Sequence, residues 1–407
     1  MTRRRVLSLL ALLGPGLIAA NAGNDAGGIA TYSSVGARYG YDLLWMMVVI
    51  TVSLIVVQEM AARMGIVTGK GLADLIRENY GVRWSLFATA SVLVANLGIC
   101  ISEFVGIAAA LGLAHVPVYV SVPVAAVAIW LLLVRGTYKI AERIFVGMTI
   151  PFFAYPVAAI LAHPDWGAVA KATVAPHIQT SPAYVLLFVA TAGTTITPFM
   201  QLYLQSAVVE RGLGADDLNR ERVEVVSGSI FANVVASFII IATGATLFVH
   251  HRAVDTASQA AQALAPFAGR FAEALFAVGL LGASLLAAAV LPVTGAYVIS
   301  ETFGFEKGIS RSPREAPVFV TVVTALVVVG AAVALIPHVP VFRLLVGVQV
   351  VNGALLPITL FFVWRLSRSR EVMGRYRNGR IFDVVAALTV AATSALSLVL
   401  LVVTVRG

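Results

Sequence analysis

Charge is what this sequence has least of. Asp, Glu, Lys and Arg make up 12% of its 407 residues, about half of the roughly 25% usual in soluble domains. With hydrophobic residues at 59%, an ordinary water-facing surface is excluded, and the polar stretches are long enough only for loops, so no separate soluble domain is expected. There is one cysteine, Cys100, which excludes an intramolecular disulfide and says nothing of redox compartment. Histidine is also scarce. All six, His115, His163, His177, His250, His251 and His338, fall near one set of ends of the apolar runs, so none is placed for a proton relay inside a membrane. Cys100 has no histidine at its depth and no metal-protease spacing occurs, which argues against an enzyme.

What is present is a series of apolar runs of spanning length, about 17–25 residues or more. They read at 12–36, 42–64, 85–113, 116–134, 140–162, 183–209, 225–249, 270–300, 316–337, 341–364 and 382–405, which predicts an all-α, multi-pass integral membrane protein. The basic start Arg3-Arg4-Arg5 imitates a secretory signal, but the run behind it continues into a second span. With the amino terminus inside, only Arg38, Lys171, Arg252, Arg270, Arg343 and Arg406 of the 28 Lys and Arg fall outside. That asymmetry satisfies the positive-inside rule and predicts an odd number of spans in the cytoplasmic membrane of a bacterium. It also assigns the +8 net charge to the membrane's inner face rather than to nucleic acid. The basic stretch from Arg365 to Arg380 is expected to touch anionic lipid.

The segment Asn21-Ala22-Gly23-Asn24-Asp25-Ala26-Gly27-Gly28 lies inside the first run. A carboxylate at membrane depth costs several kcal/mol unless a cation or hydrogen-bond donors offset it. Glycine-rich backbone at that depth frees carbonyls and amides that a continuous helix would use. Together they predict a cation site on a broken helix, as secondary transporters build near the midplane.

Four blocks make the reading more specific: Gly14-Pro15-Gly16-Leu17-Ile18, then Asp25 to Thr31, then Gly40-Tyr41-Asp42-Leu43-Leu44-Trp45, then Arg63-Met64-Gly65-Ile66-Val67-Thr68-Gly69-Lys70-Gly71-Leu72-Ala73-Asp74. In order and spacing they resemble the opening of the Nramp family of divalent metal transporters. Ser102-Glu103-Phe104-Val105-Gly106 and the stretch from Gln349 to Pro357 extend the resemblance over most of the chain. It implies a LeuT-type fold, with inverted repeats of five spans at 1–163 and 183–366 and an additional helix at 381–407, about 11 spans in all. It implies a divalent cation as substrate and no cofactor. Oligomeric state is not legible.

Within the metal motif the chain departs from the family pattern. The family's Asp-Pro-Gly-Asn reads Asp25-Ala26-Gly27-Gly28 here, so the carboxylate stays and Gly28 replaces an asparagine ligand. Ala22 matches the position whose backbone carbonyl is a family ligand. A water, Asn24 or Asn21 fills the missing amide's place, or the two asparagines only cap half-helices. In the sixth span, the segment Thr191 to Ser206 resembles the family's Met-Pro-His-Asn region. Alignment on Pro198 puts Thr197 at the thioether position, while alignment on Leu202 to Leu204 shifts the register by one residue; neither supplies the histidine. The threonines from Thr191 to Thr197, with Thr194 and Thr197 foremost, are hard oxygen donors, or back-bond to carbonyls of a broken helix.

Oxygen donors without sulfur suit Mg²⁺ and Mn²⁺, and glycines in place of larger ligands are expected to leave room for a partly hydrated ion. The chain therefore resembles most the Nramp-related magnesium transporters. Gln349, eight residues before Pro357, sits at the spacing of a family glutamine facing the ion; Asn352 is a second ligand-side amide or a packing contact. Cys100 stands where an aspartate is usual, Glu103 remains, and the ninth span carries no charge, so transport without proton coupling is expected. The rivals are a proton-coupled Mn²⁺/Fe²⁺ symporter and a transporter of amino acids or amines of the same fold, with Asp25 pairing an ammonium.

Overall fold

The computed structural model describes residues 23–135, 144, 147, 154–252, 254–265, 269, 272–337 and 339–406. These are helical, with no strand among the described residues. The principal helices are α1 (Ala26–Tyr39), α2 (Leu44–Thr68), α3 (Leu72–Tyr80), α4 (Val82–Leu113), α5 (Val118–Arg135), α6 (Ala154–Leu161), α7 (Trp166–Val174), α8 (Pro182–Thr195), α9 (Pro198–Glu210), α10 (Leu218–Thr243), α11 (Ala272–Phe303), α12 (Pro317–Ala334), α13 (Val341–Arg368) and α14 (Arg380–Arg406). Among the described residues, nine segments are long and apolar enough to cross a membrane. They correspond to all the expected spans except the first and fifth, which fall partly on residues outside those described; α1 and α6 lie in their described parts. The triple-arginine start, Asn21, Ala22 and His338 also lie outside the described residues.

The outward faces carry large apolar side chains, among them Val48, Val94, Val127, Leu388 and Leu398, a pattern that water would not tolerate over so wide a surface and hydrocarbon does. The polar groups turn inward. The centre is built from α4 lying along α11, α8 along α13, and α2 against α9 and α10, with α1 wedged between α10, α13 and α8.

Two interruptions open this centre. At Pro198 the ring removes a backbone donor and drives the preceding residue out of the helical region. Thr197 is accordingly extended (φ −77°, ψ 145°), Ile196 ends α8, and Pro198 occupies the first turn of α9. The other lies before α1. Asp25 is extended (φ −67°, ψ −178°) and its side chain accepts from the Gly28 amide, the bond of a helix N-cap.

Ionic clusters tie one end of the bundle together. Glu59 and Arg63, one turn apart on α2, are paired at 2.9 Å and both buried. Glu59 also takes Arg222 of α10 at 2.8 Å, while Arg63 donates to the Tyr376 carbonyl and to Asn378 Oδ1 (2.8 Å) in the connection between α13 and α14. In a second cluster Glu301 of α11 accepts from Ser206 Oγ at 2.6 Å and from the Ala73 amide at 3.2 Å, and pairs with Lys307, which also bonds Asp74. Both glutamates are thus anchors between elements.

Burial acts to lower the Lys307 ammonium, but Glu301 and Asp74 outweigh it and hold its pKa above the ordinary lysine value. The pairing therefore stabilises the fold throughout neutral pH and is lost only as pH rises past that value. Lys307→Met is expected to lower the thermal midpoint in detergent by the equivalent of about 1–3 kcal/mol, the usual penalty for orphaning a buried acceptor. The deficit relative to the unmodified protein should persist from pH 6 to 9; equal midpoints across that range would remove the cluster's structural role.

Candidate cation site

Asp25 lies at the start of α1, entirely shielded from solvent. Three groups converge on its carboxylate. The Gly28 amide donates to Oδ1 at 2.5 Å. Gln349 Nε2, from the middle of α13, lies 3.1 Å from Oδ1 and 3.1 Å from Oδ2. The Thr194 hydroxyl, from the last turn of α8, lies with Asp25 Oδ1 against Gly28 and donates to the Gly23 carbonyl at 3.2 Å. The dipole of α1 adds further positive potential at this end of the helix. The result is one buried carboxylate, one free-standing carbonyl, a hydroxyl and a carboxamide around a common point, all oxygen-bearing groups supplied by three helices.

Small residues permit this convergence. A side chain at Gly27 would overlap the Gln349 amide, and one at Gly28 would strike the Gly23 carbonyl and the Thr194 hydroxyl. The expectation that glycine leaves room at position 28 is therefore corrected: the space is taken by Thr194 and the backbone of residue 23, so the glycine admits oxygen atoms close to Asp25 rather than a cavity. At the crossing of α8 and α13, Gly193 lies directly on the backbone of Gln349 and Gly353, which brings the two helices within backbone contact.

Of the residues singled out in the sequence, Asp25, Gly28, Thr194 and Gln349 are brought together. Asn24 is buried but its amide nitrogen donates to the Ala232 carbonyl of α10 at 3.0 Å, so it fastens the broken segment to α10. Thr197 is buried and its hydroxyl has no hydrogen-bond partner; no contact joins it to Asp25. The threonines divide as their two readings allow: Thr191 and Thr195 back-bond to Leu187 and Thr191 carbonyls, 2.7 Å each, while Thr194 and Thr197 do not. Ala22 lies outside the described residues.

Glu103, in the middle of α4 and fully buried, accepts from the Ala26 amide at 3.1 Å and from Ser102 Oγ at 3.1 Å. It therefore caps the same helix start as Asp25. Cys100, one turn earlier, donates to the Leu326 carbonyl of α12 at 3.4 Å. The five described histidines are all exposed; His177 pairs with Asp42 at 2.9 Å, outside the buried centre.

Sequence reasoning passed over three buried polar groups nearby. Gln58 of α2 donates to Met200 Sδ at 3.8 Å and leaves its own oxygen without a partner. Gln201, with its nitrogen turned to the carbonyls of Thr197 (2.6 Å) and Pro198 (3.0 Å), ties off the start of α9. Tyr32 bonds Thr195 across the α1 and α8 interface at 2.9 Å. The two glutamines carried the signal that exposed Gln349, an amide inside an apolar run.

Comparison with known proteins gives concordant results. Residues 16–403 match the family model described as natural resistance-associated macrophage protein-like, Nramp. The divalent metal cation transporter MntH of Deinococcus radiodurans is 30% identical over 402 residues, covering 94% of this chain and 87% of that protein. Among solved structures, the Eremococcus coleocola manganese transporter, in complex with an aromatic bis-isothiourea substituted compound, superposes with a TM-score of 0.75 at 24% identity, covering 98% of this chain and 87% of that one. MhsT in complex with L-phenylalanine superposes at 0.58 with 13% identity over 96% of this chain and 97% of that one. One architecture thus recurs with different ligands, and the fold alone does not select a substrate. The curated relatives are named as transporters, not enzymes. The match over nearly the whole length places this multi-pass membrane protein in the Nramp family.

Proposed function

We propose that this chain carries divalent metal cations across the bacterial cytoplasmic membrane by alternating access, with Mg²⁺ and Mn²⁺ as substrates. The observation that carries the reading is the buried Asp25 carboxylate at the break before α1, faced by Gln349 and Thr194. A dipositive ion is the species that such a carboxylate, with converging oxygens and no charged partner, best stabilises. The curated relatives being named divalent metal cation transporters supports the substrate class. The side chains gathered at Asp25, those of Gln349 and Thr194, carry oxygen and no sulfur, and the Met200 thioether is directed to Gln58. That favours hard ions over the softer transition metals and supports the magnesium-like branch.

The site is completed by the Gly23 carbonyl and, beyond the described residues, by the Ala22 carbonyl; Thr197 supplies its unpartnered hydroxyl to the ion's path. The chain has eleven spans with the amino terminus inside. Its repeats at 1–163 and 183–366 each begin on a broken helix, and the helix at 381–407 is additional. The Arg365–Arg380 stretch rests on anionic lipid. Movement is not coupled to protons: among the described residues the histidines are exposed, Cys100 bonds the α12 backbone and Glu103 caps α1, which leaves no chain of titratable groups there.

Purified protein in liposomes tests the reading. Under an inward metal gradient the liposomes should take up Mn²⁺, with Mg²⁺ carried or competing, and the rate should follow membrane potential because two charges cross per ion. A lumenal pH dye should stay unchanged. Absence of flux for any divalent cation would overturn the proposal; metal-driven acidification abolished by Glu103→Gln would overturn the uncoupled mechanism alone.

A further inference from the structure

An ionised carboxylate offers only acceptors, and this dictates a chain of amide orientations leading away from Asp25. Facing Asp25 from 3.1 Å, the Gln349 carboxamide must present its nitrogen. Its oxygen then points to Asn352, one turn further along α13, and accepts from Asn352 Nδ2 at 2.9 Å. Asn352 is fully buried, and its own oxygen is left with no partner.

We infer that Asn352 is a positioning residue whose amide holds the Gln349 carboxamide in either of two orientations, nitrogen toward Asp25 or oxygen toward a cation bound there. This rests on the cation reading of Asp25. The geometry favours a rotation in place. In an octahedral site with metal–oxygen distances of about 2.1 Å, neighbouring ligand oxygens are about 3.0 Å apart. Gln349 Nε2 already lies 3.1 Å from each Asp25 oxygen. Turning the amide over places an oxygen at the distance a second ligand requires, without moving a helix. The turned amide directs its N–H groups at Asn352, which must then offer them an acceptor. Asn352 meets it by turning over in its own place, so that the oxygen now without a partner becomes the acceptor. A residue offering both a donor and an acceptor end is what two orientations need; a serine is too short to reach, and a leucine offers neither end.

A double-mutant cycle on the full-length protein in detergent, read by Mn²⁺ titration calorimetry, tests the inference. Asn352→Leu should weaken Mn²⁺ binding about three- to tenfold, the equivalent of one hydrogen bond. In a Gln349→Leu background the same change should alter the dissociation constant by less than about twofold, because the group it positions is gone. A packing role would instead persist in both backgrounds, and equal effects would overturn the inference. So would a Gln349→Leu variant that binds Mn²⁺ normally. Asn352→Ser follows the same cycle should the leucine variant fold poorly. If Asp25→Asn leaves Mn²⁺ binding intact, it is the cation site itself that fails, a result separate from either.

Discussion

Asp25→Asn is expected to abolish divalent-metal flux while leaving the protein folded. Asparagine keeps the size of the side chain and the acceptor for the Gly28 amide, so the cap on α1 survives. What goes is the charge. Two unit charges 4 Å apart at an effective dielectric of about 20 attract by about 4 kcal/mol, so binding of a dipositive ion should fall at least about a thousandfold. Among the described residues no other acidic side chain compensates, since Glu103 is turned to the Ala26 amide and Ser102. Liposome flux of Mn²⁺ and Mg²⁺ should be at background, with an unchanged size-exclusion profile in detergent. Near-normal flux in this variant would remove Asp25 from the site.

Gly193→Val is expected to be the most damaging single change to the fold near the site. Even the first carbon of its side chain would lie inside the backbone of Gln349 and Gly353, and backbone cannot rotate away as a flexible side chain can. Overpacking of this kind costs about 1–3 kcal/mol where neighbours relax and more where they cannot. Moving α13 also withdraws Gln349 from Asp25. The expected result is a thermal midpoint several degrees lower together with weakened Mn²⁺ binding. Gly347, two residues before Gln349 on the same helix, has open space where a side chain would go. Gly347→Ala should therefore leave binding unchanged and the midpoint equal or higher, given alanine's advantage in a helix of about 1 kcal/mol. Equal behaviour of the two variants would show that the crossing of α8 and α13 does not hold the site.

The spans were legible because hydrocarbon leaves a helix little choice of composition, and the broken sixth span was legible through Pro198 and the small residues before it. Asp25 stood out as a charge at forbidden depth, and Gln349 as an amide there. Other features needed coordinates. Gly28 looked like lost bulk; only the placement of Thr194 and the Gly23 carbonyl reveals that the lost bulk is occupied. Asn24 carries the same amide as a ligand would, and sequence gives no direction to a side chain, so its bond to Ala232 could not be read. Gln58 and Gln201 were missed because glutamine in an apolar run reports burial without naming what it faces. The ionic clusters were half visible: Glu59 and Arg63 have the one-turn spacing of a helical pair, but Arg222 and Asn378 are distant in sequence and unite with them only through the fold.

That last cluster bears on how the bundle can rock. Through Glu59, α2 is bolted to α10, and through Arg63 it is bolted to the strap that joins α13 to α14. Arg222 is itself partly exposed, but Glu59 and Arg63 are buried, and pulling either from its partners leaves a charge stranded in a medium that hydrates it poorly. At this end of the molecule, then, α2 and α10 travel as one body and drag the strap with them. The residues free to change their angle to that body are the unwound ones, Gly23 to Asp25 and Ile196 to Thr197, which are also those lying beside the carboxylate. In the proposed transport cycle the pivots of the movement and the proposed resting place of the ion coincide, so a bound ion would sit at the fulcrum and be displaced least while the walls around it exchange sides.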